Sequence, residues 1–175
     1  PLSLSQKKKN VFLLLMGEQG LLFISYTFSP NTFPPTGGIP DKAVAVKNFD
    51  SDKYLGEWYE IARFDFKYER NLNQVTATYS KNPDGTIKVD NKGYDYVKKE
   101  WKQSIGEARF VNSENEARLK VSFFKPFWAG YNVIALEDDY KHALVVGNNL
   151  KYLWILSREK KTASTNANIP KWEQV

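Results

Sequence analysis

A chain of 175 residues, 42% hydrophobic and 15% aromatic, is one domain of ordinary size with enough apolar side chain to build a core, and it is not a disordered protein. It has no cysteine, which excludes disulfides, thiolate metal sites and a cysteine nucleophile. The net charge of +5 is mild and partly concentrated at Lys7, Lys8 and Lys9, so no nucleic-acid partner is expected.

Residues 1–40 differ from the rest. "KKKNVFLLLMGEQGLLFISYTFSP" has a basic start followed by apolar runs, as a secretory signal does, but Glu18 and Gln19 interrupt it and no A-x-A site follows. It reads as a degenerate signal or anchor segment; the alternatives are a cloning or reading-frame artefact, or an apolar tail resting on the domain. Position 1 is Pro, so the chain reads as a fragment. "PNTFPPTGGIP" then reads as a linker without regular structure, which sets the expected domain at residues 41–175.

From Gly56 onward, short β-rich runs alternate with turn signals at roughly 10-residue spacing. The expected strands are 56–66, 74–81, 86–94, 100–111, 116–124, 130–137, 141–147 and 151–158. "NPDGT" at 82–86 is a hairpin turn, because Asp84-Gly85 tolerates positive φ. "EARLKVSFF" alternates Leu119, Val121 and Phe123 with Arg118, Lys120 and Ser122, giving one buried face and one wet face. The fold class is therefore all-β, an eight-stranded antiparallel up-and-down barrel.

In such a barrel alternate connections emerge at opposite ends. One end collects the approach to Gly56, "NPDGT", "VNSENEA", "LEDDYK" and the exit after Arg158; the other collects "FKYERNLN", "YDYVKKEW", "FKPFWAGY" and "GNNLKY". The first set is short and polar and marks a closed floor. The second is rich in aromatics and lysine and marks an open mouth. Trp58 is expected to plug the floor, Gly56 to let the preceding turn pack closely, and Arg158 to lay its guanidinium over the indole.

Three ordered features, Gly56-Glu57-Trp58, the segment Leu136 to Tyr140 and Arg158, resemble those of the lipocalin family, and closely those of its bacterial outer-membrane group. The matching stretches include "NFDSDKYLGEWYEIARFD", "ERNLNQVTATYS", "NKGY", "LKVSFFKPFWAGYNVIAL", "YKHALVVG" and "YLWILSR", within residues 48–158. The resemblance implies a ligand-binding barrel acting at a bacterial envelope, in the outer membrane or periplasm. The chain departs from the family pattern in three ways. Glu137 stands where the middle motif usually has Asp. "EKKTASTNANIPKWEQV" leaves no room for the helix that follows the eighth strand, though "KWEQV" resembles the closing strand. The family's lipid-attachment cysteine is missing.

Catalytic chemistry finds little support. His142, the single histidine, falls between Lys141 and Ala143 on an alternating strand, where a structural role is expected. Asp138 and Asp139 lie on a reversal and read as turn formers. Phosphate-loop and metal-ligand spacings are missing, and the enzymatic members of the resembling family rely on a cysteine, so neither an enzyme nor a cofactor is expected.

Binding is better supported. Interior candidates are Val75, Ala77, Tyr79, Val89, Leu119, Val121, Phe123, Val133, Ala135, Leu144, Val146 and Trp154, with bulges able to shift which face points inward. Of these, Tyr79, Val121, Phe123, Val133 and Trp154, together with Phe64, Tyr94, Trp101, Trp128 and Tyr131 near the mouth, form the expected ligand site, and Lys98, Lys99 and Lys125 form its cationic rim. An apolar well with such a rim suits a fatty acid or lysophospholipid and allows membrane association. The competing reading is an interaction protein whose barrel is filled by side chains and whose aromatic mouth forms a homodimer or docks a partner.

Overall fold

A computed structural model describes residues 10–17, 20–27 and 37–160. Asn10–Gly17 (β1) and Gly20–Thr27 (β2) pair as an antiparallel hairpin, Gly17 opposite Gly20, in a unit apart from the main one. Most of the expected linker and the "KWEQV" tail lie outside the described residues.

The main unit begins with an element that strand periodicity did not reveal. Asp50 caps a single helical turn, Ser51–Tyr54 (α1), its Oδ1 accepting from the backbone N–H groups of Asp52 at 3.1 Å and Lys53 at 3.3 Å. The strands are Gly56–Arg63 (β3), Leu72–Lys81 (β4), Ile87–Asp95 (β5), Glu100–Phe110 (β6), Arg118–Phe124 (β7), Phe127–Leu136 (β8), His142–Val146 (β9) and Leu153–Ser157 (β10). Each pairs antiparallel with its sequence neighbours, and β10 returns to β3 to close an eight-stranded barrel. No end departs from its expected position by more than three residues.

Period-two alternation sends Trp58, Ala77, Tyr79, Val89, Ala108, Leu119, Val133, Val145 and Leu156 into one core. Bulges then break the alternation where the barrel bends. In β8 the register slips between Val133 and Ala135, so Leu136 joins the core while Ala135 pairs with Leu144 on the other face. This corrects the expectation for Ala135 and Leu144. Val146 also leaves the lumen: it pairs with Asn132 and is buried on the outer wall, where Asn132 donates Nδ2–H to the Gly38 carbonyl at 3.0 Å.

The chain is already built onto the barrel before Asp41. Arg118 Nη2 donates to the Gly37 carbonyl at 3.2 Å, and a Cβ on Gly130 would lie 2.2 Å from the Gly38 carbonyl oxygen. Further on, Val46 bridges β8 and the residue just before β7, donating to the Val133 carbonyl and accepting from Ala117 N–H, both at 2.9 Å. This strap covers backbone groups that would otherwise be buried unpaired.

Candidate ligand-binding calyx

The floor is built from the sequence motif itself. Trp58 is fully buried and donates its Nε1–H to the Tyr54 carbonyl at 2.8 Å. The Arg158 guanidinium lies 3.9 Å from the Trp58 ring centroid, a contact contributing about 0.5–2 kcal/mol. Its Nη2 donates to the carbonyls of Lys53, Tyr54 and Leu55 and its Nη1 to that of Glu57, at 2.8 to 3.0 Å. One side chain thus gathers the orphan carbonyls at the end of α1. Gly56 adopts φ +95°, and an added Cβ there would lie 3.3 Å from Arg158 Nη1. The middle motif also serves the floor: His142 Nδ1 meets Glu137 Oε2 at 2.6 Å, and Tyr140 Oη accepts from Asp50 N–H at 2.9 Å.

Above the indole, the hydroxyls of Tyr54, Tyr131 and Tyr79 form a chain with both O···O distances 2.8 Å. Burial holds all three phenols above their ordinary pKa, so they remain neutral donors and acceptors at the bottom of the lumen.

On the β3 side the lumen carries charge. A bulge between Ile155 and Leu156 shifts the β10–β3 register, so that Glu60 lies opposite Leu156 and Arg63 opposite Trp154, both on the inner face. Arg63 Nη1 binds Glu60 Oε1, and its Nη2 donates to the carbonyls of Glu69 and Leu72, each at 2.8 Å. Trp154 Nε1 donates to Glu69 Oε2 at 3.0 Å. The β3–β4 ladder stops at Tyr59 and Thr76, and Arg63 bridges the interval beyond it. A cleft of about 360 Å³, lined by Glu60, Arg63, Leu72, Asn73 and Val75 among others, opens there. Burial, with repulsion from Glu69, pushes the Glu60 carboxyl up to about 7 against the pull of Arg63; burial likewise raises Glu69.

The sequence-derived site residues separate into three groups. Tyr79, Val121, Tyr131, Val133 and Trp154 face the lumen. Phe123 faces it at the rim, its ring laid over Gly106, and remains 45% exposed. Four aromatics do not belong to the lumen. Tyr94 and Trp101 pair with each other, ring centroids 5.5 Å apart, on the face of β5 and β6 opposite Val89, Gly93 and Gly106. Trp128 lies on the outer wall between Arg109 and Lys120, with cations 5.5 and 5.2 Å from its ring. Phe64 projects beyond the end of β3 and is 52% exposed. At the rim Lys98 and Lys99 are exposed, whereas Lys125 is engaged with Glu107 at 3.0 Å. Sequence reasoning missed Tyr54, Glu60, Arg63 and Glu69. The only signal was the pairing of unlike charges at Glu60 and Arg63, whose odd spacing argued against a shared face.

The family model for the lipocalin-like domain matches residues 49–170, and the chain belongs to the lipocalin family. It is 55% identical over 125 residues to the outer membrane lipoprotein Blc of Escherichia coli K12, covering 71% of this chain and 68% of that protein. The Vibrio cholerae protein of the same name is 48% identical, with 69% and 71% covered. These relatives place the chain with the Blc group. Among solved structures, insecticyanin from the tobacco hornworm superposes with a TM-score of 0.56 at 18% identity, covering 71% of each chain, and shows the shared fold. The cockroach allergen Per a 4 does likewise, with a TM-score of 0.55 at 23% identity, 70% of this chain and 76% of its own being covered. The lipocalin-like family match and the Blc relatives support binding of a hydrophobic ligand inside the barrel.

Proposed function

We propose that the barrel carries a single-chain amphiphile, a fatty acid or a lysophospholipid, with its hydrocarbon in the lumen and its head at the mouth. The setting is storage or transfer of membrane lipids at the bacterial envelope. The observation that carries this reading is the lining of the upper lumen. Above the aromatic floor the inward positions of β6 and β8 include Ser104 and Ala129, both small and exposed, while Phe123 covers Gly106, Leu72 and Val75 cover Gly93, and Lys102 pairs with Asp95. A barrel filled by its own side chains would place large buried residues there.

The magnitudes suit a reversible carrier. Burying about 15 methylenes at about 0.8 kcal/mol each gives roughly 12 kcal/mol. Association and ordering costs of about 4–15 kcal/mol remove much of it, so the hydrocarbon alone supports an affinity no tighter than about micromolar. Trp154 faces the lumen and reports occupancy. Titration with fatty acids of increasing chain length should quench tryptophan fluorescence, with affinity rising as methylenes are added. Absence of both quenching and chain-length dependence would reject the carrier reading in favour of an interaction protein.

A further inference from the structure

The calyx is electrically and chemically polar from end to end. The four connections at the mouth, residues 64–71, 96–99, 125–126 and 147–152, carry Lys67, Arg70, Lys98, Lys99, Lys125 and Lys151 against Asp65 and Glu69, a net +4. The three connections at the floor, residues 82–86, 111–117 and 137–141, carry Asp84, Glu114, Glu116, Glu137, Asp138 and Asp139 against Lys141, a net −5. Arg70 is paired with Asp65 and Lys125 with Glu107, while Lys67, Lys98, Lys99 and Lys151 have no carboxylate partner among the described residues.

Apolar exposure follows the same axis. Three of the mouth connections present large exposed apolar side chains, among them Tyr68 at 82%, Val97 at 61% and Leu150 at 57%, and Phe124 at the end of β7, beside the fourth, is 57% exposed. Among the described residues no floor connection presents one. Aromatic rings interleaved with lysine are the composition of the membrane–water interface, where amphipathic rings lie at headgroup depth and each lysine near an anionic surface gains about 1 kcal/mol.

We infer that the open mouth is a membrane-docking face, which seats the barrel mouth-down on an anionic lipid bilayer so that ligand passes directly between lumen and membrane. The last clause rests on the carrier reading; the docking itself does not. A second copy is a poorer occupant. A two-fold mouth-to-mouth dimer sets +4 against +4, and a mouth-to-floor contact leaves the aromatic crown without an apolar counterpart. The acidic floor is repelled by the same surface that attracts the mouth, so the charge asymmetry orients as well as binds.

The absence of cysteine makes the test clean. Val97→Cys at the mouth and Glu114→Cys at the floor can each carry one environment-sensitive probe in the full chain. Mixed with vesicles of phosphatidylcholine containing about one quarter phosphatidylglycerol, the Val97 probe should shift to an apolar environment while the Glu114 probe does not. Binding should be weaker on pure phosphatidylcholine and should fall roughly fivefold for each of Lys98→Gln, Lys99→Gln and Lys151→Gln, and fall again with salt. Equal binding to both vesicles, or an equal shift of the floor probe, overturns the inference. So does burial of the Val97 probe in a lipid-free dimer detected by sedimentation, which would assign the face to a second copy. Fatty-acid uptake in vesicle-free solution is measured alongside. Uptake without docking removes this inference alone, and docking without uptake removes the carrier reading alone.

Discussion

Trp58 and Arg158 carry the floor through packing and hydrogen bonding, far from the mouth. Trp58→Ala removes a fully buried indole and leaves Arg158 without its ring, so it should cost about 3–5 kcal/mol, read as a lowered denaturant midpoint, with lipid affinity changed much less. Unchanged thermal stability with more than about tenfold loss of affinity would move Trp58 into the binding site. Glu60 behaves differently because its charge is the unstable form. Its folded-state value of about 7 lies above the ordinary 4.5, so the native protein keeps a proton that the unfolded chain has lost between those values. Its contribution to stability is therefore complete below about pH 4.5 and declines as pH rises through 7, by at most about 3 kcal/mol. In Glu60→Gln the decline across this window should flatten; an unchanged pH profile would show that Glu60 titrates normally.

At the scale of the element, period-two patterning made the eight strands and their turns legible, because each strand has one wet face. The inward residues were legible only where no bulge intervenes. Glu60 and Arg63 have opposite parity, and only the slipped register against β10 brings both inside. A bulge leaves almost no mark in composition, which also explains the wrong face for Ala135; in β9, where Ala143, Leu144, Val145 and Val146 are all apolar, the pattern does not distinguish the two faces. Trp128 was misread for a different reason: an aromatic ring counts as apolar in a pattern, yet its face can be satisfied by two surface cations. The β5–β6 turn carries the clearest prediction at this scale. Lys98→Gln with Lys99→Gln should weaken an anionic amphiphile about two- to thirtyfold relative to a neutral one of equal chain length, at about 0.2–1 kcal/mol per exposed charge. Lys125→Gln should do less, since Lys125 already faces Glu107. Isothermal titration in low and high salt measures both, and equal losses for the two ligands would reduce these lysines to a solvated edge.

At the scale of the whole molecule, the barrel of the main unit differs in packing along its axis. The lower half spends its residues on rigidity: Trp58, the three tyrosine hydroxyls and the Arg158 hydrogen bonds fill and fasten it. The upper half trades packing for space and places charge and aromatic surface at the rim. This division gives a stoichiometry. On the carrier reading proposed above, one open end and a filled floor predict one hydrocarbon chain per barrel. The most direct measurement is native mass spectrometry of the full chain after exposure to a total bacterial lipid extract and gentle removal of free lipid. The account predicts a complex of one protein with one single-chain fatty acid or lysophospholipid, displaced by added long-chain fatty acid. Recovery of only ligand-free protein, under conditions where the fold is intact by circular dichroism, would contradict it.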